Sequence, residues 1–232
     1  MEMSKILGSI QNLEEAKILI ESKIDIIDLK DPAKGALGKL EESKIIEILN
    51  FINNKKLTSS TVGDLPNDKD IILRVIKQIE KTNVDFIKIG VYDKNYVKTL
   101  CSIKSNKNLI AVFFADKFIP NIKIIELLKN SGYSGVMLDT SDKNSGNIFC
   151  HASYNQIQIF LINAKKYDLI TGIAGSVNEE HINELIQLSP NYIGFRGAFC
   201  ENKKSRESSI SLKNVENIVN LIKKPQAVYA SA

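Results

Sequence analysis

Asp28 and Lys30 stand two residues apart at the end of the apolar run 24–30, Ile-Asp-Ile-Ile-Asp-Leu-Lys. In an extended chain, side chains two apart share a face, so Ile27 and Leu29 point one way and Asp28 and Lys30 the other. The same parity recurs at Lys88, which alternates with isoleucine in Phe86-Ile87-Lys88-Ile89-Gly90, and at Asp139, which closes Val136-Met137-Leu138-Asp139. A lysine inside an apolar strand is costly unless it is paired or functional. One such function is nucleophilic attack on a carbonyl to form a Schiff base, which needs the amine neutral and therefore a pKa brought far below about 10.4. Lys30 is the candidate nucleophile. Lys88 and Lys143 would supply the positive field that holds its pKa down, and Asp28 and Asp139 would orient the ammonium groups and relay protons. The alternative is a set of strand-end ion pairs that only satisfy one another. Shared parity at several strand ends favours a site.

The last third of the chain offers an anion cradle. Gly175-Ser176-Val177-Asn178 leads from one strand into a helix, and Arg196-Gly197-Ala198 closes another. Glycines let a backbone approach a phosphate closely, helix N-termini present N–H groups, and an arginine can clamp an anion with two donors. Singly, each glycine reads as a turn residue. Together they point to a small phosphorylated substrate. Residues 31–43, with Pro32, Gly35 and Gly38, and residues 142–153 are either lids or plain connectors. His151 and His181 lack metal-ligand spacing and read as surface or structural residues. Tyr92 and Phe118 read as core packing rather than pocket lining.

Short β-branched runs alternate with amphipathic stretches along the whole chain. Strands are predicted at 6–10, 24–30, 57–63, 86–91, 109–116, 135–140, 169–175 and 192–197. Helices are predicted at 13–22, 42–53, 70–81, 95–105, 122–130, 153–166, 178–188 and 212–222, where apolar residues recur every three or four positions. Asn12 and Asn178 are placed as N-caps. Eight βα repeats imply a parallel sheet, and no GxGxxG follows the first strand. The expected fold is α/β, a single (β/α)8 TIM barrel with a parallel eight-stranded core. Active sites in that fold lie at the carboxyl ends of the strands, where Lys30, Gly63-Asp64, Lys88, Asp116, Asp139, Gly175-Ser176 and Arg196-Gly197 all fall.

The 232 residues, 44% hydrophobic and 25% charged, suit one barrel domain spanning 1–232, with 225–232 as a C-terminal extension. A net charge of +4 is too mild for a dedicated nucleic-acid binder. Cys101, Cys150 and Cys200 form no CxxC pair and read as reduced thiols. No apolar run reaches the roughly 18 residues of a membrane span, and the N-terminus is too polar for a secretory signal. A cytoplasmic protein without membrane or nucleic-acid partners is expected. An exposed apolar helix face would favour a homo-oligomer, the assembly expected here.

Several blocks together resemble one known family. They are Ile26-Ile27-Asp28-Leu29-Lys30-Asp31-Pro32 with Gly35-Ala36-Leu37-Gly38, then Ser60-Thr61-Val62-Gly63-Asp64, and Ile87-Lys88-Ile89-Gly90-Val91-Tyr92. Met137-Leu138-Asp139-Thr140 with Lys143, Ala174-Gly175-Ser176, and Gly194-Phe195-Arg196-Gly197-Ala198 with Cys200 complete the set. In order and across the chain they are similar to the (5-formylfuran-3-yl)methyl phosphate synthases of methanofuran biosynthesis. The resemblance implies a barrel lyase with no metal or organic cofactor. It would condense two glyceraldehyde 3-phosphate molecules, with loss of phosphate and water. It also implies that Lys30 forms the Schiff base, that Lys143 is a second catalytic lysine, and that Lys88, Asp28 and Asp139 fill the remaining catalytic positions. Residues 39–43 diverge from the family pattern. Phe113-Phe114 replaces smaller residues and would narrow the pocket. Ranked behind the synthase are another sugar-phosphate barrel enzyme (an imine-forming aldolase or an epimerase), a non-catalytic binder of phosphorylated metabolites, and a basic-surface RNA-binding barrel.

Overall fold

The computed structural model describes residues 3–223, so the expected extension 225–232 lies outside the described residues. Eight parallel strands close into a barrel in chain order, each hydrogen-bonded to its sequence neighbours and the last to the first. They are β1 Lys5–Ile10, β2 Ile26–Leu29, β3 Leu57–Thr61, β4 Phe86–Val91, β5 Asn108–Phe114, β6 Gly135–Asp139, β7 Ile170–Ile173 and β8 Tyr192–Phe195. Around them run α1 Leu13–Glu21, α2 Glu42–Ile52, α3 Lys69–Glu80, α4 Lys94–Cys101, α5 Ile122–Asn130, α6 Ile148–His151, α7 Tyr154–Lys166, α8 Ile182–Leu188 and α9 Leu212–Lys223. The (β/α)8 TIM barrel is the architecture expected from the alternation.

Parity along each strand separates two cores. Outward-facing Ile27, Leu29, Ile87, Ile89 and Leu138 join the helices in a continuous apolar shell. Inside the barrel, Ser9, Asp28 and Ser59 lie side by side in the register of β1, β2 and β3. Ile110, Val112, Phe114, Met137 and Ala174 form a second apolar cluster with Ala36 and Leu37. The interior is thus polar at the level of Asp28 and apolar where the segment after β2 folds in.

Elements end where a polar side chain takes over a backbone group. Asn12 caps α1 by accepting from the Glu15 N–H, and Asn121 caps α5 by accepting from the Ile124 N–H. β2 is shorter than the expected 24–30, because Asp25 turns to accept the Ile6 N–H at 2.8 Å. Lys30 lies just past the last strand residue, its own N–H donating to the Ile10 carbonyl at 2.9 Å. The helix expected over 178–188 divides into a 3-10 turn at Glu179–His181 and α8. Asn178 starts the turn as a cap, and the His181 ring nitrogen Nδ1 accepts the Asn178 N–H, a structural role. α6 is too short to leave a periodic signal. Among the described residues, no helix is long and apolar enough to cross a membrane.

Candidate active site

The carboxyl ends of β1, β2, β4, β6, β7 and β8 surround a cavity of about 260 Å³, small for an organic ligand site. Lys30, Lys88, Asp139 and Lys143 line it together with Gly175, Ser176, Arg196, Gly197 and Ala198. Asp28 lies beneath, fully buried. The four residues picked out by strand parity, Asp28, Lys30, Lys88 and Asp139, therefore converge on one space, and Lys143, singled out by the family resemblance, joins them there.

Lys88 donates to Asp28 at 2.7 Å. Asp28 also accepts from the Ser9 hydroxyl at 2.8 Å and the Ser59 hydroxyl at 2.6 Å. Lys143, on the segment after β6, donates to Asp139, whose other nearby donor is the Thr140 N–H at 2.7 Å. Lys30 has no carboxylate at ion-pair distance among the described residues. Burial pushes its ammonium toward the neutral form, Asp139 and Asp28 oppose this, and Lys88 and Lys143 reinforce it; the outcome is a pKa lowered to about 7. Burial also acts to raise Asp139, but the charges of Lys143 and Lys30 hold it down at about 2. Asp28 is likewise held below the usual carboxylate range, with burial outweighed by Lys88, Lys30 and the Ser59 hydroxyl. A partly neutral amine beside two lysines that are each paired with a carboxylate is an arrangement suited to carbonyl attack with proton relay.

The glycine-rich segments form the opposite wall. Gly175 has φ +108° and Ser176 φ +51°, so the chain is left-handed at two successive residues. Among the described residues, the N–H groups of Ser176, Val177, Gly197 and Ala198 have no backbone acceptor. A Cβ built at Gly197 would meet nothing within 4 Å, so its α-carbon faces open cavity. Such concave runs of N–H groups hold anions.

Arg196 differs from expectation. Nη1 and Nη2 donate to the Glu15 carboxylate at 2.5 and 3.0 Å, Nη1 also to the Ser9 carbonyl at 3.2 Å, Nη2 to the Ser208 carbonyl at 3.0 Å, and Nε to the Arg206 carbonyl at 2.8 Å. All five N–H donors are engaged, so the guanidinium braces the loop after β8 instead of standing free for an anion. Glu15, 181 positions away on α1, is the buried partner. No motif announces it.

Other strand-end residues act on the walls. Asp116 accepts the N–H groups of Ser141 and Asp142 at 2.7 and 3.1 Å and so anchors the segment that carries Lys143. Asp64 accepts from the Tyr92 hydroxyl at 2.5 Å and from the N–H groups of Ala36 and Leu37 at 3.1 and 3.2 Å. With Ala36, Leu37 and Leu40 buried, the 31–43 segment is a packed wall in this structure. Tyr92 packs against Phe114 with ring centroids 4.9 Å apart, and Phe118 meets Phe113 edge to face at 5.5 Å. Neither Tyr92 nor Phe118 lines the cavity, as expected, and Phe113 and Phe114 do not narrow it. His151 closes α6 with a contact to the Ser145 hydroxyl at 3.0 Å. Among the described residues, no three His, Cys, Asp or Glu side chains are grouped to hold a metal ion.

A closed parallel barrel with lysines gathered at its strand ends is the layout of a (β/α)8 metabolic enzyme. The chain belongs to the 4-HFC-P synthase family, whose model matches residues 6–219. It is 31% identical over 231 residues to the (5-formylfuran-3-yl)methyl phosphate synthase of Methanococcus aeolicus, covering 93% of this chain and 98% of that one. It is 29% identical over 233 residues to the enzyme of the same name from Methanocaldococcus jannaschii, covering 94% and 99%. Among solved structures, phosphoribosyl anthranilate isomerase from Thermus thermophilus superposes with a TM-score of 0.64 at 11% identity, covering 94% of this chain and 97% of that one. That likeness concerns the fold alone.

Proposed function

We propose that the protein is a (5-formylfuran-3-yl)methyl phosphate synthase that joins two glyceraldehyde 3-phosphate molecules through a Schiff base on Lys30. The observation that carries this reading is the Lys30 amine, buried in the cavity, free of a carboxylate partner and with a pKa lowered to about 7. At neutral pH a large share of it is uncharged and able to attack an aldehyde.

In this reading the Lys30 nitrogen adds to the aldehyde carbon of one triose and water leaves, giving an imine. Loss of the α-proton gives an enamine, which expels its own phosphate, and the terminal carbon so freed bonds to the carbonyl C2 of the second triose, which has first shifted to its ketone form by moving a proton from C2 to C1. The free hydroxyl of that second triose closes the ring on the C2 carbonyl of the first, two waters leave to give the furan, and hydrolysis of the imine frees the formyl group and the lysine. Two glyceraldehyde 3-phosphates equal one (5-formylfuran-3-yl)methyl phosphate, one phosphate and two waters, so no oxidant or reductant is needed. Asp139 and its partner Lys143, which line the same cavity, would pass protons to and from the carbons beside the imine. Lys88 is held in place by its ion pair with Asp28. The N–H groups of Ser176, Val177, Gly197 and Ala198 would hold a phosphate.

The test is mass spectrometry of products from glyceraldehyde 3-phosphate, with Lys30→Ala as control. A furan aldehyde phosphate formed only by the intact protein supports the reading. Unchanged substrate from the folded wild-type protein removes it and leaves another sugar-phosphate reaction or a binding role.

A further inference from the structure

We propose that Arg206 is a second anion-binding residue of the cavity, which holds the phosphate of one triose while the backbone cradle holds the other. The inference rests on the two-triose reaction above, because two phosphates of nearly two negative charges each repel and need separate countercharges. A single glycine cradle offers one such place. The arginine expected to add a clamp, Arg196, has no donor to spare.

Arg206 has donors to spare. It lies in the loop after β8, lines the same cavity as Lys30, and is half-buried. Its side chain makes one hydrogen bond, from Nη2 to the Gly35 carbonyl at 3.3 Å. No carboxylate lies at ion-pair distance among the described residues. A guanidinium has five N–H donors in a planar fork that matches a phosphate, and four of these are unused.

Its backbone is held from below. The Arg206 carbonyl accepts from Arg196 Nε at 2.8 Å, and Arg196 is locked to buried Glu15. The loop is stitched at both ends as well, by the Glu201 N–H to the Ser209 carbonyl at 2.8 Å and the Ser211 N–H to the Phe199 carbonyl at 2.8 Å. A positioned arginine with an unfilled fork loses little freedom on binding, which favours affinity. Lys204 on the same loop also borders the cavity and adds positive charge. Because the Gly35 contact reaches the wall after β2, Arg206 bridges the two sides of the mouth.

The test is phenylglyoxal labelling of the full chain, mapped by mass spectrometry with inorganic phosphate as the probe, together with kinetics of Arg206→Ala and Arg206→Lys. Arg74 is exposed on α3 and serves as the internal control. Phosphate is expected to slow labelling of Arg206 at least about fivefold and to leave Arg74 unaffected. The KM for glyceraldehyde 3-phosphate should rise about 10- to 100-fold in Arg206→Ala, the size of a lost charge-assisted hydrogen bond, and recover in part in Arg206→Lys. Labelling indifferent to phosphate, or an unchanged KM in Arg206→Ala, overturns the assignment. The two proposals fail separately. A wild-type protein that makes no furan product while phosphate still shields Arg206 removes the reaction and keeps the site. Furan product from a protein whose Arg206 is unshielded does the reverse.

Discussion

Lys88 donates to Asp28 across 2.7 Å, and this pair leaves Lys30, on the same face of the same chain segment as Asp28, as an unmatched amine beside it. The Lys88 side chain is 4% exposed and that of Asp28 not at all. The pair places an ammonium group near Lys30 and engages one of the two carboxylates that act on it. Burial is then the largest of the effects that lower the Lys30 pKa to about 7.

The first consequence is a pH profile. kcat/KM is expected to rise with an apparent pKa of about 7 as Lys30 loses its proton. Lys88→Met removes a neighbour that lowers this pKa and frees a carboxylate that raises it, so both effects move the rise to higher pH. Asp139→Asn removes a raising neighbour and releases Lys143, which moves it lower. Profiles of both variants that coincide with wild type would show that another group controls the rate.

Stability should respond to the same residue. The folded pKa of Lys30 is about 7, against 10.5 for a free lysine side chain. Between those limits the unfolded chain holds a proton that the folded chain does not, so stability rises with pH there. The penalty is full below pH about 7 and fades as pH rises to about 10.5. Lys30→Met is therefore expected to stabilise the fold at pH 6, by up to about 1.4 kcal/mol for each pH unit that separates the two values, and to lose much of that gain by pH 10. Urea denaturation at the two pH values checks this. A difference independent of pH contradicts it.

Glu15 carries the Arg196 brace. Removing one partner of a buried pair leaves the other charge uncompensated, and Glu15→Ala is expected to cost about 3–5 kcal/mol. Because Arg196 holds the Ser9, Arg206 and Ser208 carbonyls, KM should rise along with the loss in denaturation midpoint. A protein of normal stability would show the pair to be dispensable.

Two glycines of the cradle should behave oppositely. At Gly197 a methyl group meets nothing within 4 Å, so Gly197→Ala should keep stability within about 0.5 kcal/mol of wild type while raising KM. At Gly175, φ is +108° and a Cβ would stand 3.0 Å from Thr140 Cγ2. Gly175→Ala is expected to lose at least about 1 kcal/mol. Thermal denaturation and KM measured on both separate filling the cavity from straining the backbone.

Much of this arrangement was legible in the residues because strands repeat every two positions. That period alone puts Asp28 and Lys30 on one face and Ile27 and Leu29 on the other, and the alternation of strands and helices brings their carboxyl ends to one mouth. What escaped depends on contacts with no local pattern. Glu15 reads as an ordinary first-turn acid of α1, and only the closed barrel brings it to Arg196. Asp116 and Asp64 fall at strand ends like the lysines, yet they turn to the backbone of the following segments. Ala36 and Leu37 lie in a stretch too short and too rich in glycine to show a period, so their burial could not be read. Arg206 sits among polar residues in an irregular loop, and only the cavity distinguishes it from its neighbours.

The central claim, that Lys30 forms the covalent intermediate, is tested most directly by reducing a mixture of the protein and glyceraldehyde 3-phosphate with sodium borohydride and mapping the adduct by peptide mass spectrometry. The account expects a stable triose phosphate adduct on the peptide containing Lys30, absent from Lys30→Arg protein of normal fold. An adduct confined to Lys88 or Lys143, or furan product made by folded Lys30→Arg protein, would contradict it.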